Sequence, residues 1–364
     1  MPLNRSTYLS AAWIFDASAN IWINNTGEAA SSGGTAFSIL ADTADFAYFG
    51  DTRRFDLLIF ILSTNGSVGT RTWEYWDGTA WTTINGVPNQ YDFTRNLGEE
   101  FNNLTGWTTL AFGAGTPHAP APPDTTARYW IRCSVSSVTT APQVSQIIIR
   151  PFTIYADPTD VARMLQLPTD FSTSTTPTRE TVENYIHYAQ SYIDYKTHKS
   201  WRPNLILNEP HEFGMNGFKL KRLYPTQILR LQIWNGASFE TKTEGRTHDY
   251  FLVADLGMVY FARYFLLPAR FQGFMVPYWQ WGLGEFNFAI NIDYIYGNSI
   301  DDAREGWLVQ DICKKIAARD IITSHDYSIL AVSGSDKVSL DRKIDQWQIQ
   351  IDEQLDSLVS WQVF

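Results

Sequence analysis

The run from Trp234 to Thr323 decides how this chain is read. It opens with WNGASFE (234–240), continues through HDYFLVADLGMVYF (248–261) and FAINIDYIYGN (288–298), and closes on GWLVQDICKKIAARDIIT (306–323). The first piece is a strand end with a turn, and the second is a hairpin whose bend falls at Gly257. The third is a strand ending in the aromatic-Gly pair Tyr296-Gly297. The fourth has helical periodicity and begins at once, so a β-region feeds directly into an amphipathic helix.

Outward from this run the chain is helical on both sides. Asp157-Pro158 supplies an N-cap followed by Pro at the first helical position, and VARMLQL (161–167) reads as a short helix ended by Pro168. The polar loop TDFSTSTTP (169–177) leads to Thr178, a second N-cap, and to RETVENYIHYAQSYIDYKTHKSW (179–201). There Val182, Tyr185, Ile186, Ala189 and Ile193 recur every three or four residues and form one apolar stripe. Glu180 and Glu183 early, with Lys196 and Lys199 late, suit the helix dipole. FKLKRL (218–223), ILRLQIW (228–234), YFLV (250–253), MVYFARY (258–264) and NFAINIDYIY (287–296) read as strands. After an extended stretch, HDYSILAVSGSDKVSL (325–340), the chain ends in DRKIDQWQIQIDEQLDSLVSW (341–361). Ile344, Trp347, Ile351, Leu355, Leu358 and Trp361 trace one face of that helix over about five turns. Such a stripe needs a surface to cover, in its own domain or on a neighbouring chain.

Residues 1–150 belong to a different regime: they carry eight Arg, no Lys and twelve acidic residues, and the first Lys is Lys196. Short runs rich in β-formers, FDLLIFIL (55–62), RTWEYW (71–76), YWIRCSV (129–135) and SQIIIRPF (145–152), are separated by turn residues. Strands at this spacing, with Asn-Gly and Asp-Gly turns, predict an antiparallel β-sandwich with no substantial helix before about residue 157. The Pro-rich GTPHAPAPPDTTA (115–127) reads as an ordered surface loop or a mobile excursion between strands, since Pro cannot serve a central strand. The fold class is therefore α+β: a β-sandwich over 1–154, a helical core with an inserted β-domain (212–296) over 155–324, and an extension with a terminal helix over 325–364.

Composition narrows the function. Hydrophobic residues make up 44% and charged residues 18%, which leaves apolar surface for subunit contacts. A net charge of −10 argues against nucleic-acid affinity, although an acidic wall would let DNA slide past. Cys133 and Cys313 fall in different predicted domains and read as buried thiols rather than a disulfide framework. MPLNRSTYLSAAWIF (1–15) lacks the basic start and apolar run of a signal peptide, and no segment approaches the ~20 apolar residues of a membrane span. Synthesis in the cytoplasm and no membrane partner are expected.

Little in the chain points to chemistry. WEYWDGTAW (73–81) offers aromatic rings that stack on sugars, but alternation puts Trp73 and Tyr75 on one side and Glu74 and Trp76 on the other, as hairpin and core packing requires. The carboxylate pairs Glu99-Glu100 and Asp301-Asp302 lie in polar turns. The six histidines, at 118, 187, 198, 211, 248 and 325, show no metal-ligand spacing. No GxSxG elbow and no GxxxxGK[ST] loop occurs, so no catalytic residue, metal or cofactor is predicted. Lys219, Lys221, Arg222 and Arg230 alternate along two adjacent predicted strands, as a face that contacts DNA or a protein partner or as an exposed face balanced by acids.

Taken in order, DPTDVARML (157–165), the 178–201 helix, the DY, LGMVYF and YIYGN phrases and the following helix resemble the head-tail connector (adaptor) proteins of tailed phages. WEYWDGTAWTTI (73–84), the Gly106-Trp107 pair and the YWIR strand resemble β-sandwich modules of phage structural proteins that decorate capsids, necks and tails. The resemblance implies a non-enzymatic virion protein of the neck: a twelvefold ring between portal and tail or stopper protein, with DNA passing through its bore. It also implies that the C-terminal segment inserts along the portal through Ile344, Trp347, Ile351, Leu355, Leu358 and Trp361. The N-terminal domain and the longer excursion, with FQGFMVPYWQWGLGEF (271–286), depart from the smallest members; the first would face capsid, fibres or host. Two other readings stay open: a baseplate or fibre-linked adhesion protein whose sandwich binds glycan through Trp73, Trp76 and Trp81, and a polysaccharide-degrading enzyme.

Overall fold

The computed structural model describes residues 7–31, 34–84, 101, 106–108, 126–212, 217–235, 237–262, 289–301, 303–324 and 337–359. It is a mixed α+β protein with antiparallel sheets, and among the described residues there are five α-helices and more strand than helix. Two compact units emerge: Met1–Ser191 with Leu308–Gln354, and Tyr192–Trp307 with Leu355–Phe364.

In the first unit the elements run β1 (Ala11–Asp16), β2 (Ile21–Asn24), α1 (Thr26–Ala30), β3 (Phe37–Ser38), β4 (Phe46–Asp51), β5 (Phe55–Thr64), β6 (Ser67–Val68) and β7 (Arg71–Trp76). They continue with β8 (Trp81–Thr83), β9 (Gly106–Thr108), β10 (Tyr129–Val135), β11 (Val138–Thr140) and β12 (Gln143–Pro151). A six-stranded sheet has the order β2-β1-β4-β10-β7-β8, and a four-stranded sheet the order β3-β12-β5-β9. One apolar cluster takes Ile14, Phe49, Trp73, Ile131 and Cys133 from the first sheet and Phe55, Leu58, Phe60, Ile147 and Ile149 from the second. β12 alternates buried and half-buried residues as a one-sided strand should, whereas Phe55–Phe60 of β5 are buried on both faces. That double burial is why FDLLIFIL is a nearly continuous apolar run. The only helix before residue 157 among the described residues is the five-residue α1.

Helix α2 (Pro158–Met164) starts where expected: Asp157 Oδ1 accepts the Thr159 N–H at 2.6 Å. In α3 (Arg179–Thr197) the Thr178 hydroxyl accepts the Thr181 N–H at 3.3 Å, and Val182, Ile186, Ala189 and Ile193 are fully buried. Gln190, on the same face, is equally buried. Its Oε1 accepts the N–H groups of Ile154 (2.6 Å) and Tyr155 (2.8 Å), and its Nε2 donates to the Phe152 carbonyl (2.9 Å). His187 stacks on the Phe152 ring at 4.2 Å, and Arg54 lies 4.4 Å over the same ring while bonding Glu183 at 3.2 Å. The start of α3 is thus fastened to the segment that leaves β12.

Seven strands follow among the described residues before the next described α-helix: β13 (Asn204–His211), β14 (Gly217–Lys219), β15 (Pro225–Trp234), β16 (Phe239–Lys242), β17 (Tyr250–Val253), β18 (Met258–Phe261) and β19 (Ile290–Tyr296). They build a four-stranded sheet, β13-β19-β15-β16, and a three-stranded one, β14-β18-β17, around one cluster that includes Phe218, Leu231, Val259, Ile292 and Tyr294. Gly257 does bend the β17–β18 hairpin, with φ 61° after a single 3-10 turn; a left-handed residue at this point is what glycine permits. The basic residues do not share a strand pair: Lys219 lies in β14 of one sheet and Arg230 in β15 of the other. Arg230 is also engaged, bonding Asp293 at 2.7 Å and Asn208 at 2.9 Å.

Helix α4 (Gly306–Ser324) buries Val309, Ile312, Cys313, Ile316, Ala317, Ala318 and Ile321, an apolar arc wide enough to meet partners on several sides. Cys313 lies against the Ile186 carbonyl of α3. Toward α5 (Lys337–Val359) the contacts are polar: Gln354 bonds Asp311 at 3.1 Å and Lys315 at 3.4 Å, and Arg319 bonds Gln348. Lys199 does not serve α3, which ends at Thr197. It is buried and donates to the Leu358 carbonyl at 3.0 Å, so its charge sits at the C-terminal end of α5. No described helix is long and apolar enough to cross a membrane.

Candidate functional site

Two surfaces carry the predicted site residues. The first is the face of the six-stranded sheet turned away from the shared apolar cluster. Period-two alternation brings Trp13 and Phe15 of β1, Trp22 of β2, Phe46 and Tyr48 of β4, Trp130 of β10, Trp76 of β7 and Trp81 of β8 to that face. The strand register makes them neighbours: Trp13 opposes Tyr48, Phe15 opposes both Trp22 and Phe46, and Trp76 opposes Trp81. Ring centroids are 4.8 Å apart for Phe15 and Trp22, 5.0 Å for Trp22 and Tyr48, 5.5 Å for Tyr48 and Trp81, and 5.5 Å for Trp76 and Trp81. The rings therefore form an aromatic layer in which Tyr48 and Trp130 are buried and the others half-buried.

An ion pair sits within this layer. Arg132 places its guanidinium 4.5 Å from the rings of both Phe46 and Trp81, and its Nε donates to Glu74 at 2.6 Å. Burial alone would lower the Arg132 pKa, but the Glu74 and Tyr48 partners outweigh it and hold the cation above its ordinary value. Burial pushes the Tyr48 phenol up. At the edge, Asp77 closes the β7–β8 turn by accepting from the Thr79 and Ala80 N–H groups and from the hydroxyls of Thr79 and Thr82. Those backbone and side-chain bonds hold its carboxyl well below the usual range. The layer offers ring faces and a fixed guanidinium for recognition, and the Glu74 carboxylate beside the rings is committed to Arg132.

Of the three tryptophans read as a glycan platform, the structure brings Trp76 and Trp81 together. Trp73 points the other way, 6% exposed, among Phe49, Phe60 and Phe101 in the core, so the platform is at most a pair. Arg132, Tyr48 and Phe46 were not legible as members of this face. Alternation marks their outward side, but only the long-range pairing of β10 with β4 and β7 places them beside the tryptophans.

The second surface is the stripe of α5. Trp347, Ile351, Leu355 and Leu358 are buried within this chain and Ile344 is half-buried, while Trp361 lies outside the described residues. Docking on a portal through these side chains requires α5 first to leave its own chain. Glu99-Glu100, Asp302, His118, His325, most of the 115–127 and 325–340 segments and the whole 271–286 segment also lie outside the described residues. Cys133 and Cys313 are buried free thiols. Among the described residues no cluster of His, Cys, Asp or Glu is arranged to hold a metal.

No protein-family model and no curated protein matches the chain. Among solved structures it is similar to a chain from the neck of an empty GTA particle (16% identity, TM-score 0.30, 52% of this chain and 87% of that one). A chain from the virion of a native gene transfer agent particle gives 16% identity and a TM-score of 0.29 over the same shares, 52% and 87%. A third, CpGH89CBM32-6 produced by Clostridium perfringens, gives 11% identity and a TM-score of 0.23 over 38% of this chain and 91% of that one. At these TM-scores none of the three carries an argument.

Proposed function

We propose that this chain is a structural protein of a phage-like particle, a head-tail adaptor that forms a ring between the portal and the tail or stopper protein and lets DNA pass. The observation that carries the reading is the order of parts: α2 and α3, then the whole of β13–β19, then α4 and α5. An antiparallel β-excursion inserted between helices is the arrangement that the resemblance to head-tail connectors implies. On this reading the two N-terminal sheets are the faces of a β-sandwich with a common core, α3, α4 and α5 belong to one bundle, and the ring is twelvefold. The acidity of the chain, −10 overall, favours a bore that does not retain DNA. The aromatic layer around Arg132 would turn the added domain toward capsid or fibres. Native mass spectrometry of the full-length protein, alone and mixed with its portal, tests the reading: a ring or a stoichiometric portal complex is expected, and the absence of both overturns it.

A further inference from the structure

Helix α3 has a second face that its packing does not explain. Tyr188, Tyr192 and Tyr195 are 63%, 39% and 69% exposed, although the opposite face of the same helix is fully buried. Their spacing, i, i+4 and i+7, puts all three within about 60° of arc on one uninterrupted helix. Lys196 lies 5.6 Å from the Tyr192 ring, adding a cation to the stripe. Tyrosine gives large, stiff contact area at low entropic cost, and it is enriched at the centres of protein interfaces. A helix has no folding reason to present three such rings to water.

We infer that this stripe is one half of a contact between copies of the chain, and that its counterpart is the outward face of α5 on the next copy. That face has complementary chemistry: Ile349 is 59% exposed, and Asp352, Glu353 and Asp356 around it are exposed acids. Two unlike patches on one chain make a heterologous contact, the kind that closes into a ring. Packing the tyrosine stripe on itself would instead leave the acids of α5 without a cation. The inference rests on the ring reading above and specifies where the ring is joined.

The test is native mass spectrometry and sedimentation of the full chain over a concentration series, with and without portal. Replacing the tyrosines together (Tyr188→Gln, Tyr192→Gln, Tyr195→Gln) keeps helix propensity and should weaken assembly by at least about tenfold, with the thermal midpoint unchanged. Lys196→Glu should also weaken it, and adding Glu353→Lys should restore it. A triple variant that assembles like the wild type, or a charge swap that fails to rescue, overturns this contact while the ring reading stands. A wild-type chain that stays monomeric under every condition overturns both.

Discussion

Gln190 holds three buried backbone groups of residues 152–155 at once, and no hydrophobic side chain can replace it there. Gln190→Leu fits the apolar stripe of α3 but removes all three of these buried hydrogen bonds, so it should cost about 2–5 kcal/mol, measured by urea denaturation. Glu209 makes a pH-dependent contribution. It is buried beside His211 Nε2 at 2.6 Å, accepts the Lys221 N–H at 3.2 Å, and accepts the Tyr294 hydroxyl at 3.0 Å. Burial alone would raise its carboxyl pKa, but these bonds outweigh it and hold the group below its unfolded value. A carboxylate with a depressed folded pKa stabilises above the unfolded value, and the contribution is lost as pH falls through the folded one. The urea midpoint should therefore fall on acidification, and Glu209→Gln should flatten that slope. Neither residue announced itself in the sequence. Gln190 looks like an ordinary helical glutamine, and Glu209 acquires its meaning from Tyr294, 85 residues away.

Helices and hairpins were legible where their signals are local. Asp157-Pro158 and Thr178 cap the helices they precede, and Gly257 bends the hairpin it was assigned, because capping and turn chemistry act over three or four residues. The partner of a stripe is a different matter: periodicity shows which face of α5 is apolar but not what covers it. Intramolecular burial gives opposite expectations for two isoleucines that lie two residues apart. Ile351→Ala should cost about 2–5 kcal/mol in a denaturation midpoint. Ile349→Ser, on the exposed side, should stay within about 0.5 kcal/mol while weakening self-association. An α5 that docked only on a foreign surface would leave the stability of the isolated chain insensitive to Ile351. Strand neighbours were similarly hidden. The aromatic alternation of β1, β4 and β7 is visible, but the crossing of β10 between β4 and β7, which seats Arg132 between Phe46 and Trp81, is a long-range event.

For the molecule as a whole, the switch from Lys-free β-sequence to helix, β-excursion and helix is written in composition and period, and the α+β character follows from it. What composition cannot specify is which surfaces remain after folding. The α5 stripe turns inward, Trp73 joins a core, α3 exposes Tyr188, Tyr192 and Tyr195, and the aromatic layer of the six-stranded sheet is buried to half-buried. The tyrosine face is the material from which an assembly would be built. The most direct test of the proposed adaptor role is a cryo-EM reconstruction of the phage-like particle proposed to carry this chain. The adaptor account predicts a closed ring of copies directly beneath the portal, with the tyrosine face of α3 at the contact between neighbouring copies. Finding the chain only at a fibre, a tail tip or the capsid surface would contradict it.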